Sequence, residues 1–304
     1  MIDVHRLRLL LELSRRGTVT AVAAALSYTP SAVSQQLAAL EREAGVPLLA
    51  RAGRRVSLTP AGAVLSRYAE TVLAVLEEAE AALASTRDQL TGPLRIGAFP
   101  TAARTVLPPA LVTLGRAHPG LELMVTELDP AAVPDALRTG ALDVALTSDY
   151  DHVPAAPDPA LRTEPLCAET VYLATPGADE AVPSPTIADC RDTSWIAGSP
   201  DSVCHALVVR ACQASGFTPR IRHHADDFAT VLVLVAAGQG VSLIPELGLA
   251  QVPSGVTLTP LDTRRRTSVA CRTGTRRHPA VAAFTAAVRE AAERYLTGAL
   301  ITWE

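Results

Sequence analysis

The sequence predicts an α/β protein with three parts: an N-terminal all-α module closed by a basic β-hairpin, one long linker helix, and an α/β body of two lobes. Three observations predict it. Residues 26–62 read as a capped amphipathic helix followed by a basic hairpin, residues 61–88 as one uninterrupted helix, and the stretch beyond residue 92 as alternating strands and helices.

The helix opens at Thr29-Pro30. A hydroxyl suited to capping free helix N–H groups precedes a proline whose fixed φ and missing N–H suit the first helical position. Val33, Leu37, Leu40 and Ala44 then form one apolar stripe, while Ser31, Ser34, Gln35, Ala38 and Arg42 fall on the other side. A solvated face normally carries long charged side chains. This one is small and polar near its start, which suits close approach to base edges and phosphates. Gly45 ends the helix. Upstream, Leu7, Leu10 and Leu11 give a first amphipathic helix, and Thr20 to Leu26 a short second one, with only Ser27 and Tyr28 before the third. That is helix-turn-helix spacing. Downstream, Leu48 to Leu58 carries Arg51, Arg54 and Arg55 around Gly53, a short hairpin with a basic tip that reads as a wing.

Charge supports the same division. Residues 1–67 hold nine Arg against Asp3, Glu12, Glu41 and Glu43, a formal charge of +5, in a chain whose net charge is −4. The remainder therefore carries −9. A basic module on an acidic body is the asymmetry of a DNA-binding domain joined to something that does not bind DNA. The competing reading is a helical core with a solvated basic turn; it requires cap, stripe, turn length and hairpin to coincide by chance. All 27 basic residues are Arg, whose guanidinium pairs with phosphates through two parallel hydrogen bonds.

Residues 23–62 resemble the LysR-type transcriptional regulators, whose N-terminal pattern AAxxLxxTPSAVSxQLxxLExExGxPLLxRxxRxVxLTPAG they follow closely; the family's Phe before the wing is Leu49 here. The likeness continues through Arg95-Ile96-Gly97, Gly140 to Asp143, Val235 to Gly240 before Ile244-Pro245, and His278 to Phe284. It implies a winged helix-turn-helix over 1–59, a linker helix over 60–90, and a periplasmic-binding-protein-like effector domain with one lobe at 91–161 and 267–304 and the other at 162–266. It places Thr29, Pro30, Ser31, Ser34 and Gln35 at the major groove of double-stranded operator DNA, with Arg51 and Arg54 at the backbone or minor groove beside it. Gln35 is the expected base reader, since a glutamine can bond both exposed groups of adenine, whereas serines at a helix start more often fix phosphates.

Within residues 61–88, Leu65, Tyr68, Val72, Leu76, Ala79 and Leu83 recur at spacings of three and four. Such a seam joins two protomers into a homodimer, extended to a homotetramer; a helix packed on its own body is the alternative. Thr91-Gly92-Pro93 breaks it. Beyond, strands at 94–98, 121–125 and 142–146 alternate with helices at 107–116 and 131–138. A second set has strands at 170–174, 195–197 and 241–244 and helices at 202–215 and 227–237, before a return strand at 267–272 and a last helix from Pro279. This βα rhythm predicts a parallel sheet in each of two lobes, with ligands taken up in the cleft at strand carboxyl ends and helix N-termini.

By resemblance that cleft is lined by Phe99, Pro100, Thr101, Thr147, Ser199, Ser202, Val203, Cys204, Asp227 and Phe228. Free N–H groups at the start of the Ser202 helix, with Ser199 and Ser202 as added donors, favour an anionic, carboxylate-bearing metabolite as effector. The rival signal is thiol oxidation. Peroxide-sensing relatives carry a Cys pair in this region, and Cys204 and Cys212 bracket one helix. Residues eight apart in a continuous helix lie about 12 Å apart at a rise of about 1.5 Å per residue, beyond disulfide reach.

Enzyme chemistry finds no foothold. The chain has no Gly-rich phosphate loop, no HExxH and no paired CxxC, and His223-His224 reads as two strand residues. No cofactor or metal is expected. A transport-type binding protein shares two lobes but needs export and no winged helix. No run of eighteen apolar residues exists and the first residues lack a signal-peptide pattern, so the expectation is a cytoplasmic protein with no membrane partner.

Overall fold

The computed structural model describes residues 1–52, 55–177 and 185–296, with the side chains of residues 51, 52, 55 and 296 left aside. It divides into two compact units: Met1–Asp88 with Arg272–Pro279, and Gln89–Cys271 with the described residues from Ala280 on.

In the first unit, α1 (Val4–Arg16) is capped by Asp3, whose carboxylate accepts from the N–H groups of His5 and Arg6, and ends at Gly17. Helix α2 (Val19–Ala25) is capped by Thr18, and α3 (Pro30–Ala44) by Thr29, with Pro30 in its first turn and Gly45 at φ +69° closing it. The turn between α2 and α3 passes through Ser27 at φ +57°, the one non-glycine left-handed residue among those described. Leu7, Leu10, Leu13, Val22, Val33, Leu37 and Leu40 fill one core between the three helices. Burial of this stripe, more than helix propensity, holds helices this short.

Strands β1 (Leu49–Ala52) and β2 (Arg55–Leu58) pair antiparallel, Leu49 opposite Leu58. Glu41 of α3 accepts from the N–H groups of Leu48 at 2.8 Å and Leu49 at 3.0 Å, fixing the hairpin to the helix. Helix α4 (Pro60–Ala84) starts on the Thr59 cap. It stops short of residue 88 because Ser85 and Thr86 turn their hydroxyls back onto the carbonyls of Ala82 and Leu83, competing with further helix. Tyr68, Val72, Leu76 and Leu83 are all exposed along it.

The second unit holds a six-stranded sheet, among the described residues, in the order β4-β3-β5-β10-β6-β9. Its elements run β3 (Gly92–Ala98), α5 (Pro100–Arg104), α6 (Leu107–Ala117), β4 (Leu121–Glu127), α7 (Val133–Thr139), β5 (Val144–Tyr150) and β6 (Leu161–Pro176). They continue with β7 (Ser194–Ala197), α8 (Val203–Ala214), β8 (Arg220–His224), α9 (Phe228–Ala236), β9 (Ser242–Pro245), β10 (Val256–Arg272) and α10 (Pro279–Leu296). Strand β3 is parallel to β4 and β5 as the βα rhythm requires, but β10 returns antiparallel to β5, and β9 antiparallel to β6. The sheet is therefore mixed. A separate parallel pair, β7 and β8, carries His223 and His224 as strand residues.

Two cores mark the lobes. Leu94, Ile96, Leu107, Leu114, Val144, Phe284 and Val288 pack in the first. Val171, Leu173, Trp195, Leu207, Val208 and Val241 pack in the second, extended by Phe228, Val231 and Leu232 of α9. Strands β6 and β10 run past their expected starts at residues 170 and 267, to Leu161 and Val256. Those extra residues include Pro165 and Pro260, which speak against a strand interior.

Candidate functional site

The first candidate surface is the start of α3. The Thr29 hydroxyl accepts from the Ala32 N–H at 3.2 Å and lies 3.1 Å from the Ser31 hydroxyl. Thr29, Pro30, Ser31, Ser34 and Gln35 are all exposed, on the side opposite Val33, Leu37 and Leu40. Gln36, one residue on, is instead tied down by the Arg6 guanidinium at 2.8 Å. Gln35 thus stands unencumbered where its neighbour does not. Arg51 is paired in register with Val56 in the hairpin; Arg54 lies outside the described residues.

The second is a cavity of about 510 Å3 in the second unit. Strand β3 delivers Phe99 to it, and the first turn of α5 delivers Pro100 and Thr101. Ser199, Ser202, Val203 and Cys204 come from the approach to α8 and its first turn, and Phe228 from the start of α9. Two expected residues do not reach it. Thr147 sits on β5, where successive side chains point to opposite faces, so its neighbour Ser148 lines the cavity together with Tyr150. Asp227 caps α9 and meets Arg104 at 2.5 Å, while Asp226 takes the place on the wall.

The cavity also holds residues the sequence reading missed. Arg265 of β10 is buried at 2% exposure, donates from Nε to Glu169 at 2.7 Å and from Nη2 to Thr101 Oγ1 at 3.0 Å, and lies 4.8 Å over the Phe99 ring. It was hidden within Arg264-Arg265-Arg266, a run that reads as solvated charge. Strand alternation turns only its middle member inward. Glu127 and Asp129 stand at the end of β4 and just after it, where the rule applied to the first strand would have found them.

The helix start differs from the expected anion site. The Val203 N–H donates to Asp129 at 3.3 Å and the His205 N–H to Ser202 Oγ at 3.1 Å, so the chain's own side chains occupy these donors. Ser199 donates from N and Oγ to Asp226, at 2.7 and 2.5 Å. Burial chiefly, and the charge of Asp226, push the Asp129 carboxyl up, while its hydrogen bonds from Ala131 and Val203 oppose this.

Burial pushes the Cys204 thiol up to about 11, against the pull of Arg265, and the Cys212 thiol up to about 12. The Cys204 sulfur lies 3.7 Å from the Tyr150 hydroxyl, and Cys204 and Cys212 are not disulfide-bonded. Among the described residues no group of three His, Cys, Asp or Glu could hold a metal, and no helix is long and apolar enough to cross a membrane.

Both parts of the chain resemble known proteins. Residues 4–63 match the family model described as bacterial regulatory helix-turn-helix protein, lysR family, and residues 87–293 the model described as LysR substrate binding domain. A probable hydrogen peroxide-inducible genes activator of Mycobacterium avium is 33% identical over 266 residues, 81% of this chain and 82% of that protein. The transcriptional dual regulator GltC of Bacillus subtilis is 26% identical over 256 residues, 82% of each chain. Among solved structures, the C206 mutant of Corynebacterium glutamicum OxyR superposes with a TM-score of 0.58 at 25% identity, covering 100% of this chain and 96% of that one.

Proposed function

Because this chain belongs to the LysR family of transcriptional regulators, we propose that α3 reads operator DNA and that the cavity of the second unit takes a small-molecule effector that changes how the DNA is held. The carrying observation is the exposed, capped start of α3, with Gln35 free of the contact that restrains Gln36. Thr29, Pro30, Ser31 and Ser34 fix phosphates and backbone, Gln35 discriminates a base, and Arg51 and Arg54 of the hairpin add charge beside them. The exposed apolar residues of α4 pair with those of a second copy, giving a homodimer and, through it, a homotetramer that presents two readers to two half-sites. The protein acts in the cytoplasm by binding, with no catalysis, cofactor or metal.

A thiol switch at Cys204 and Cys212 is the second reading, favoured by the similarity to the Mycobacterium avium protein. It fits the site less well. A nucleophilic thiolate needs a lowered pKa, and burial raises both thiols.

The test is selection of binding sequences from random duplexes by the full chain, repeated with Gln35→Ala. Loss of preference at one position per half-site, about 1–3 kcal/mol, is expected. Equal weakening on selected and random DNA would remove Gln35 as a reader.

A further inference from the structure

We propose that the effector is an organic cation with an apolar body, its positive group held between the carboxylates of Asp129 and Asp226 and its body against Phe99 and Phe228. The inference rests on the reading of the cavity as the effector site and names the chemical class that site takes.

Charge carries it. On the cavity wall Glu127, Asp129, Asp201 and Asp226 are acidic, and Arg265 is the basic residue among the described lining. Arg265 is already matched by Glu169, both sealed from solvent. Two helix-start donors that could receive an anion, the N–H groups of Val203 and His205, are held by Asp129 and Ser202. An incoming carboxylate therefore finds no free cation and a surplus of negative charge; a cation finds the reverse.

The form of the site narrows the class. No three acidic, His or Cys side chains converge among the described residues, so a bare metal ion finds no cage. Beside the carboxylates the lining is apolar, with Leu128, Pro130, Val203 and Phe228 to take the body of an organic cation. Independently, Ser148 lines the cavity at 7% exposure, and its hydroxyl has no hydrogen-bond partner among the described residues. Open to the cavity, that hydroxyl can pair with one polar group carried beside the ligand's cation.

The same arrangement supplies a switch. Asp129 follows the β4 strand of one lobe and Asp226 precedes α9 of the other. Two like charges across a cleft oppose its closure, and a cation between them turns that opposition into attraction present only in the closed state. Differential affinity of this kind is what shifts a conformational equilibrium.

The experiment uses the full chain and three probes sharing one skeleton: 2-phenylethylamine, 3-phenylpropanoate and 2-phenylethanol. Each is followed by thermal unfolding and calorimetric titration. The parent is compared with Asp129→Asn/Asp226→Asn, which keeps an acceptor for the Val203 N–H and for the Ser199 N–H and leaves the Ser199 hydroxyl to accept from the new amide, with the exposed Asp201→Asn, and with Ala131→Trp at the cavity rim. We expect the amine alone to bind, at least tenfold more weakly to the double variant, more weakly in the same sense to Asp201→Asn, and not to Ala131→Trp. Tighter binding of the carboxylate or the alcohol, abolished by Ala131→Trp, would overturn the cationic class while leaving the effector cavity standing. Amine binding that survives both the Asn double variant and Ala131→Trp would place it elsewhere and overturn the proposal, and binding by none of the three counts against the class and the cavity together.

Discussion

The guanidinium of Arg265 and the carboxylate of Glu169 meet at 2.7 Å with their side chains 2% and 1% exposed, joining adjacent strands β10 and β6 beneath the cavity. Burial opposes the charge on Arg265, but the Glu169 carboxylate outweighs it and pushes the guanidinium's pKa further up. The second carboxylate oxygen of Glu169 accepts from the Leu247 N–H at 2.6 Å, so the pair is satisfied on both sides.

Removing one partner leaves the other charged and buried. Arg265→Met or Glu169→Gln should each destabilise the protein by about 3–5 kcal/mol in urea unfolding, and Arg265→Met/Glu169→Met by less than the sum of the two single costs. Additive losses would mean that the two groups do not act as a pair.

Thr101 completes this network through its hydroxyl oxygen, 3.0 Å from Arg265 Nη2. Thr101→Val keeps the volume but strands a charged donor, at an expected cost of about 1–3 kcal/mol, whereas Thr101→Ser should stay near the parent. The contrast between the two unfolding midpoints is the measurement, and equal midpoints would show that the bond contributes nothing.

Gly62 lies where a Cβ would come within 2.1 Å of the Leu48 carbonyl oxygen, a backbone atom held in place by the Thr59 N–H. Gly62→Ala should therefore push Leu48, and the hairpin it leads into, away from α4. We expect about 1–3 kcal/mol of destabilisation together with a loss of DNA affinity greater than that of an exposed alanine substitution on α4. Anisotropy titration on a selected duplex at fixed salt measures it.

The two α8 thiols should be slow to alkylate. With Cys204 raised to about 11 and Cys212 to about 12, only about one part in ten thousand of Cys204 is thiolate at neutral pH. Iodoacetamide labelling of folded protein should rise about tenfold per pH unit through the alkaline range. The sign for stability follows. Because the folded pKa values are raised, the contribution is complete below the ordinary thiol value of 9.0 and is lost as pH rises toward about 11 to 12. Rapid labelling at neutral pH, or loss of effector response in Cys204→Ser/Cys212→Ser, would favour the thiol switch.

The reading module was the most legible part of the chain, because its signals are local: Thr29, Pro30 and Gly45 mark the ends of α3, and Val33, Leu37 and Leu40 its buried side. The cavity was legible only in part. Thr147 and Asp227 each missed it by one residue, since neither strand facing nor the split between capping and lining aspartates is set by nearby sequence. Arg265 could not be found at all from its surroundings. Its partners Thr101 and Glu169 are distant in the chain, and burial of a charge depends on such partners.

Strand β10 has a consequence for the order in which the molecule can be made. Its last residues, Arg265 to Cys271, close the exposed edge of β5, and Phe284 and Val288 beyond them complete a core begun at Leu94. The lobe that leaves the ribosome first is thus the one finished last. Until the final segment emerges, β5 presents unpaired N–H and C=O groups, an open template for a neighbouring nascent chain. A stop codon after residue 264 would therefore do more than shorten the protein: it would leave that template permanently uncovered and commit the product to aggregation.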